Sequence, residues 1–359
     1  MQAYEWSKKG LAALFLVGTM VTSLVGCGGN DNNYVITNLS SDGGVAASHT
    51  DSNLKNGWGI AFNPTGYAWI ADNGTSKATI YDGSGVLQQP VVSIPDGIAG
   101  PANPTGIVFN GGSNFLISQN GQTATSLFIF SGEAGTISAW SPTVNFTTAI
   151  TLFDGGSTGN VYKGLALANF NNAAYLYATD FHNRSIDVFD SNFNHVVLAG
   201  TFTDSSMPDG YAPFGIQAIN NQIYVTYALR DFAAHDNING AGFGFINVFD
   251  TGGNFIRRLV SNGPLNAPWG MALAPANFGE FSNALLVGNF GDGKINAFDP
   301  TTGNVRGTLI ASDGQPLVID GLWGLAFGND LFGFSSASLY FAAGPNNETN
   351  GLFGKIDLK

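Results

Sequence analysis

The chain is poor in charge, poor in histidine and almost without cysteine. Only 11% of its 359 residues are charged, with 13 Lys plus Arg against 25 Asp plus Glu, giving a formal net charge of −12. No Lys/Arg cluster exists beyond the first ten residues, which argues against nucleic acid as a partner and against an electrostatic hold on anionic lipid. Cys27 is the single cysteine, so a disulfide within the chain and a Cys-based metal centre both fall away. No convincing amphipathic helix follows the N-terminus, and the one sustained apolar run, Leu11 to Val21, is too short for a transmembrane helix. With so few charges, the polar surface must come from Asn, Ser, Thr and the 49 glycines.

What the chain does have is a repeat. Six short apolar strands open on a glycine, at Gly59, Gly106, Gly164, Gly215, Gly270 and Gly324, with gaps of 47, 58, 51, 55 and 54 residues. A near-constant period of this size marks stacked or radially arranged units. A second strand of alternating pattern follows in the copies, as in Ala68 to Asp72, Tyr175 to Asp180 and Leu339 to Ala343. A turn rich in Gly, Asn and Asp leads to a third strand such as Ile186 to Asp190 or Ile246 to Asp250, and another turn leads to a fourth.

Four antiparallel strands in each of six units predict an all-β fold, a six-bladed β-propeller over residues 34 to 359. The last copy stops after its third strand, and Tyr34 to Leu39 precedes the first copy, so this N-terminal strand is expected to complete blade six and remove an exposed edge. The longest gap implies an insertion at Phe115 to Ser126. A solenoid is the alternative, but it would leave both end blades uncapped.

At the N-terminus, Lys8-Lys9, the apolar run and Leu24-Val25-Gly26-Cys27 resemble a bacterial lipoprotein signal. The resemblance implies a signal peptide over 1–26, a lipidated tether over 27–33 with the lipid on Cys27, export, and attachment to a membrane of the bacterial cell envelope. Gly28 after the cysteine leans towards the outer membrane. An ordinary secretory signal with an incidental cysteine is the alternative.

The segment Asp180-Phe181-His182-Asn183-Arg184-Ser185-Ile186-Asp187-Val188-Phe189-Asp190 resembles the NHL repeat. The phrases Asn56 to Gly66, Ala267 to Pro275 and Asp320 to Gly328 resemble more closely a family of exported bacterial propeller proteins of uncharacterised function, some with PEP-CTERM sorting tails. That likeness spans most of 34 to 359 and implies a fold without an activity.

In such a fold the links from strand two to strand three and from blade to blade emerge on one face, where loops can carry function. Those links hold the acids Asp72, Glu133, Asp180, Asp231, Asp236, Asp292 and Glu348, and also His182 and His235, with His49 in the approach to blade one. A carboxylate ring suits Ca²⁺, whereas His49, His182 and His235 with a carboxylate suit Zn²⁺. Neither HExxH nor an EF-hand loop is present, and an Asp at a strand end commonly caps a turn. Asp180, Arg230, Asp231 and Asp236 are the candidate catalytic residues of a metal-dependent hydrolase or lyase. The long link Ala228 to Gly244 gathers Arg230, Asp231, His235 and Asp236.

Trp58, Phe214, Trp269 and Trp323 precede the blade glycine in four copies, with Thr105 and Lys163 in the other two. They could stack on a ligand ring at the channel entrance, or serve as core between blades. The expected role is binding of a small molecule, glycan, peptide or partner protein at the channel face. A metal-dependent enzyme and a structural scaffold are the alternatives.

Overall fold

The computed structural model describes residues 33–359; the expected signal peptide, Cys27 and most of the expected tether fall outside the described residues. Six antiparallel sheets of four or five strands form the blades. Blade one comprises Gly57–Phe62, Ala68–Asp72, Lys77–Tyr81 and Leu87–Ser93, innermost strand first. Blades two to five repeat this meander from Pro104–Phe109, Tyr162–Phe170, Tyr211–Ile219 and Pro268–Leu273. The expected insertion is a separate hairpin, Leu116–Gln119 with Gln122–Thr125. Among the described residues no helix is long and apolar enough to cross a membrane.

Blade six closes the ring as expected. Its strands Leu322–Phe327, Leu339–Ala343 and Leu352–Leu358 come from the end of the chain, and Tyr34–Ser41 pairs antiparallel with Leu352–Leu358 from Tyr34 opposite Leu358 to Ser41 opposite Leu352. The unpaired edge of a three-stranded blade is thereby covered.

The recurring glycine has a steric cause. A Cβ on Gly59 would lie 2.6 Å from Thr105 O, on Gly164 3.0 Å from Phe214 O, on Gly215 2.0 Å from Trp269 O, on Gly270 2.3 Å from Trp323 O, and on Gly324 2.3 Å from Trp58 O. On Gly106 it would meet Leu165 N at 2.3 Å. Each innermost strand therefore rests on the backbone of the next, and the last rests on the first. Only a residue without Cβ permits that approach.

Each innermost strand also breaks register at this glycine: pairing jumps from Gly57 to Ile60, from Pro213 to Ile216, from Pro268 to Met271 and from Leu322 to Leu325. Such bulges re-aim side chains. Here they collect the residue before the glycine into a central cluster of Trp58, Phe214, Trp269 and Trp323 with Phe181. Six further apolar clusters fill the blades and the seams between them, for example Trp69 and Ile80 of blade one with Phe128 and Trp140 of blade two.

Candidate functional site

Chain segments from all six blades meet at the channel mouth on the link face. Lys163 occupies the position before the blade glycine that holds Trp or Phe in four other blades. Its side chain is 2% exposed, and its ammonium pairs with Glu133 and, at 3.3 Å, with Asp236 Oδ1. It also lies 5.3 Å from the ring centre of Trp58, a cation–π arrangement. Burial disfavours its charged form, but Glu133 and Asp236 outweigh burial and hold the ammonium above the ordinary lysine value. Lys163 is thus a fixed cation and a poor amine nucleophile.

From this ion pair a hydrogen-bonded circuit runs round the mouth. Asn73 Nδ2 donates to Glu133 Oε2 at 2.9 Å, and Asn56 Nδ2 donates to Asn73 Oδ1 at 3.2 Å and to Glu348 Oε1 at 3.0 Å. Trp323 Nε1 donates to Asn56 Oδ1 at 3.1 Å, and Trp269 Nε1 to Lys163 O at 2.8 Å. Burial, first, and then the charge of Glu133 push the Glu348 carboxyl up. On the other side His235 Nδ1 lies 2.9 Å from Asp236 Oδ1. That hydrogen bond raises the imidazole above its usual value and lowers Asp236 to about 2.

The circuit borders a cavity of about 310 Å³ floored by Trp58, Trp323 and Phe290. The second oxygens of Glu348 and Asp236 have no hydrogen-bond partner among the described residues. Trp58 lines this cavity, is 2% exposed, and keeps its indole N–H without an acceptor. The mouth therefore offers two open acceptors and, buried beneath them, one indole N–H without a partner. With Nδ1 engaged by Asp236, His235 also has Nε2 free to take or give a proton.

The aromatic ring is a plug whose faces are already in use. Phe290 stacks on Trp323 at 4.1 Å between ring centres, Trp323 stacks on Trp58 at 3.5 Å, and Lys163 covers Trp58. Phe214 and Trp269 are buried beside them. Of this column, only half-buried Phe290 presents a face that is not sandwiched.

His182 and His235 line a common second cavity, whereas His49 lies on Ser40 at the outermost edge of blade six, far along the sheet from the innermost strand. The histidine triad is therefore not brought together. The described residues instead cluster Glu133, His235 and Asp236, with ligand atoms within 4.8 Å of one another, and Lys163 already supplies the positive charge between the two carboxylates.

The remaining acids divide. Asp180 accepts from Val161 N at 3.2 Å, Asn183 N at 3.1 Å and Asn183 Nδ2 at 2.8 Å, and so pins a turn. Asp231 Oδ1 accepts from His235 N at 3.0 Å and Asp236 N at 3.3 Å, setting the loop that carries the His–Asp pair. Arg230 Nη1 donates to His182 O at 2.5 Å, tying two links together. Asp72 caps nothing: it is fully buried, and neither oxygen has a hydrogen-bond partner. Burial pushes its carboxyl well above the ordinary value.

Lys163, Asn56 and Asn73 are the site residues that pattern reading passes over. The available signal was Lys163 itself, the one cation among the six residues preceding the blade glycines.

No protein-family model matches the sequence. Uncharacterized protein L690 of Acanthamoeba polyphaga mimivirus is 37% identical over 335 residues, covering 90% of this chain and 84% of that protein. Uncharacterized protein R648 of the same virus is 36% identical over 331 residues, covering 90% and 79%. Among solved structures, a glucose dehydrogenase aligns with a TM-score of 0.53 at 12% identity, over 89% of this chain and 99% of that one. The PQQ-bound aldose sugar dehydrogenase of Streptomyces coelicolor aligns with a TM-score of 0.50 at 11% identity, over 91% and 99%. These two likenesses speak to the fold alone. The viral proteins match at a level and over a length that settle kinship, and the chain belongs to their family, whose members carry no assigned activity.

Proposed function

We propose that the chain is a binding protein whose link-face cavity takes a small molecule with an ammonium head and a neighbouring hydroxyl, without a metal ion. One observation carries this reading: the buried ion pair of Lys163 with Glu133 and Asp236 supplies the site's positive charge, while Glu348 and Asp236 keep acceptors free and Trp58 keeps a donor free. A ligand ammonium would find the acceptors and its hydroxyl oxygen the indole N–H. The donor set fits Ca²⁺ or Zn²⁺ poorly, because a divalent ion would have to share its carboxylates with an ammonium held 3.3 Å from Asp236.

Titration with ethanolamine in the presence of EDTA, followed by tryptophan fluorescence and calorimetry, tests this. Saturable binding lost in Asp236→Asn with Glu348→Gln supports it. A stoichiometric metal retained through dialysis and lost in His182→Ala with His235→Ala would replace it with the metal-centre reading. A catalytic reading is favoured by one arrangement, the engagement of His235 Nδ1 by Asp236. Turnover of any bound compound that depends on His235 would establish it.

On the sequence alone, this reading also includes lipid attachment at Cys27 and residence in a cell envelope, in keeping with the resemblance to exported bacterial propellers. Loss of the protein from the membrane fraction in Cys27→Ser supports that address, and retention there removes it.

A further inference from the structure

A second cavity of about 420 Å³ adjoins the first, and Glu133 and His235 line both. Its other walls are largely apolar or backbone, among them Ala99, Pro101, Ala134, Val161 and Ala233, with Asn103, Asn160 and His182 as the polar side chains. The two link segments that supply Ala99 and Ala233 also carry Ile98, 71% exposed, and Phe232, fully exposed.

Neither segment is loose. Gly97 and Gly100 exchange backbone hydrogen bonds around Ile98, and Ile98 N donates to Asp154 Oδ2 at 2.9 Å. The Phe232 turn is pinned by Asp231 N to Asp236 O at 2.8 Å and by the Asp231 carboxylate. Two ordered turns that border the hollow through Ala99 and Ala233 thus also hold large apolar side chains in water. That arrangement is unfavourable in isolation and becomes favourable once an apolar group covers it.

We infer that the second cavity is an apolar subsite continuous with the polar one, so that the ligand is an amphipathic amine: an amino-alcohol head at the channel mouth and a hydrocarbon chain running past His235 into the hollow lined by Ala99, Pro101, Val161 and Ala233. This rests on the binding reading above and adds the second half of the ligand. Three features fix the choice. The open carboxylate oxygens select a cationic head over a carboxylate or phosphate. The shared walls at Glu133 and His235 make the two cavities neighbours along one molecule. The lining of the second cavity gives a chain little to hydrogen-bond and much to pack against.

The test is a chain-length series on the full protein: ethanolamine, 2-amino-1-butanol, 2-amino-1-hexanol and 2-amino-1-octanol, with 1-octanol and octanoate as controls, all below their aggregation limits. The expected result is affinity rising at least tenfold from ethanolamine to 2-amino-1-octanol, with both controls at least tenfold weaker than the octyl amino alcohol. Ala99→Asn with Ala233→Asn, both at exposed positions lining the second cavity, should remove most of the gain from chain length and leave ethanolamine binding unchanged. Equal affinity along the series, with Asp236→Asn still abolishing binding, would overturn the apolar subsite and spare the polar one. Octanol or octanoate binding as tightly as the amino alcohol would overturn the amphipathic-amine assignment. Failure of every amine to bind would remove both readings.

Discussion

The two mouths of the channel are built by the same six strands and differ in nearly everything else. The mouth on the turn face is a hollow of about 290 Å³ lined by residues such as Ile60, Phe62, Ile107, Phe109 and Leu167, with Gln217 its one polar side chain and no ionisable group. The link-face mouth holds a buried ammonium, three carboxylates, three asparagines and a histidine. Every innermost strand begins at the second and ends at the first. Its apolar end obeys the repeat, because tight turns leave little else to build there. Its other end receives links of unequal length from every blade, and chemistry can be added one link at a time without disturbing the ring.

Lys163→Met tests that division most severely, since it leaves Glu133 facing Asp236 with no cation between them. The expected loss is about 3 kcal/mol in denaturant unfolding, largely restored by adding Glu133→Gln. The single variant should also gain affinity for Zn²⁺ through Glu133, His235 and Asp236, measurable by calorimetry. Gly215→Ala should instead injure both mouths together, because the new Cβ meets the Trp269 carbonyl at 2.0 Å. A loss of about 2 kcal/mol, with link-face binding weakened, is expected; wild-type stability would mean that the blades are not in the close register described.

Asp72 sharpens the comparison through pH. Its folded pKa is raised by burial, so the folded state binds more protons, and stability falls as pH climbs from the ordinary value of 3.8 towards the raised one. Asp72→Asn should remove that slope and stabilise the protein at pH 7 by about 1–2 kcal/mol, with little effect near pH 3; identical pH profiles for the two proteins would refute it. The smallest effect belongs to the loop of Asp231 to Asp236. The contribution of Asp236, whose pKa is lowered to about 2, is present above 3.8 and lost as pH falls towards 2. That of His235 is present below 6.5 and lost as pH rises through its raised value. Amide exchange in this loop should therefore be most protected between these limits, while strands at the turn-face mouth show no such window.

The fold was legible because its rules are local and repeated. Glycine before an apolar strand, alternation, and Asn/Gly/Asp turns recur in all six blades, and the missing fourth strand of blade six pointed to Tyr34 to Leu39, which the structure extends to Ser41. The site was only half legible. His235 and Asp236 are neighbours in sequence, but Glu133, Lys163 and Glu348 converge from blades far apart along the chain, and no local pattern encodes that meeting. Spacing also cannot tell which aromatic faces stay open, and here stacking between blades consumes those of Trp58 and Trp323. His49 follows the closing strand, and that strand's place at the outer edge carries it away from the channel.

The ring closes where Lys359 N donates to Asn33 O at 2.9 Å, so the two ends of the described chain lie side by side. Because Tyr34–Ser41 runs towards the link face, Asn33 and Lys359 sit on the turn face, behind the cleft. A fluorophore or affinity handle joined to Lys359 thus meets the ring at its back, and a probe there can report rotation or immobilise the ring without crowding the link-face mouth.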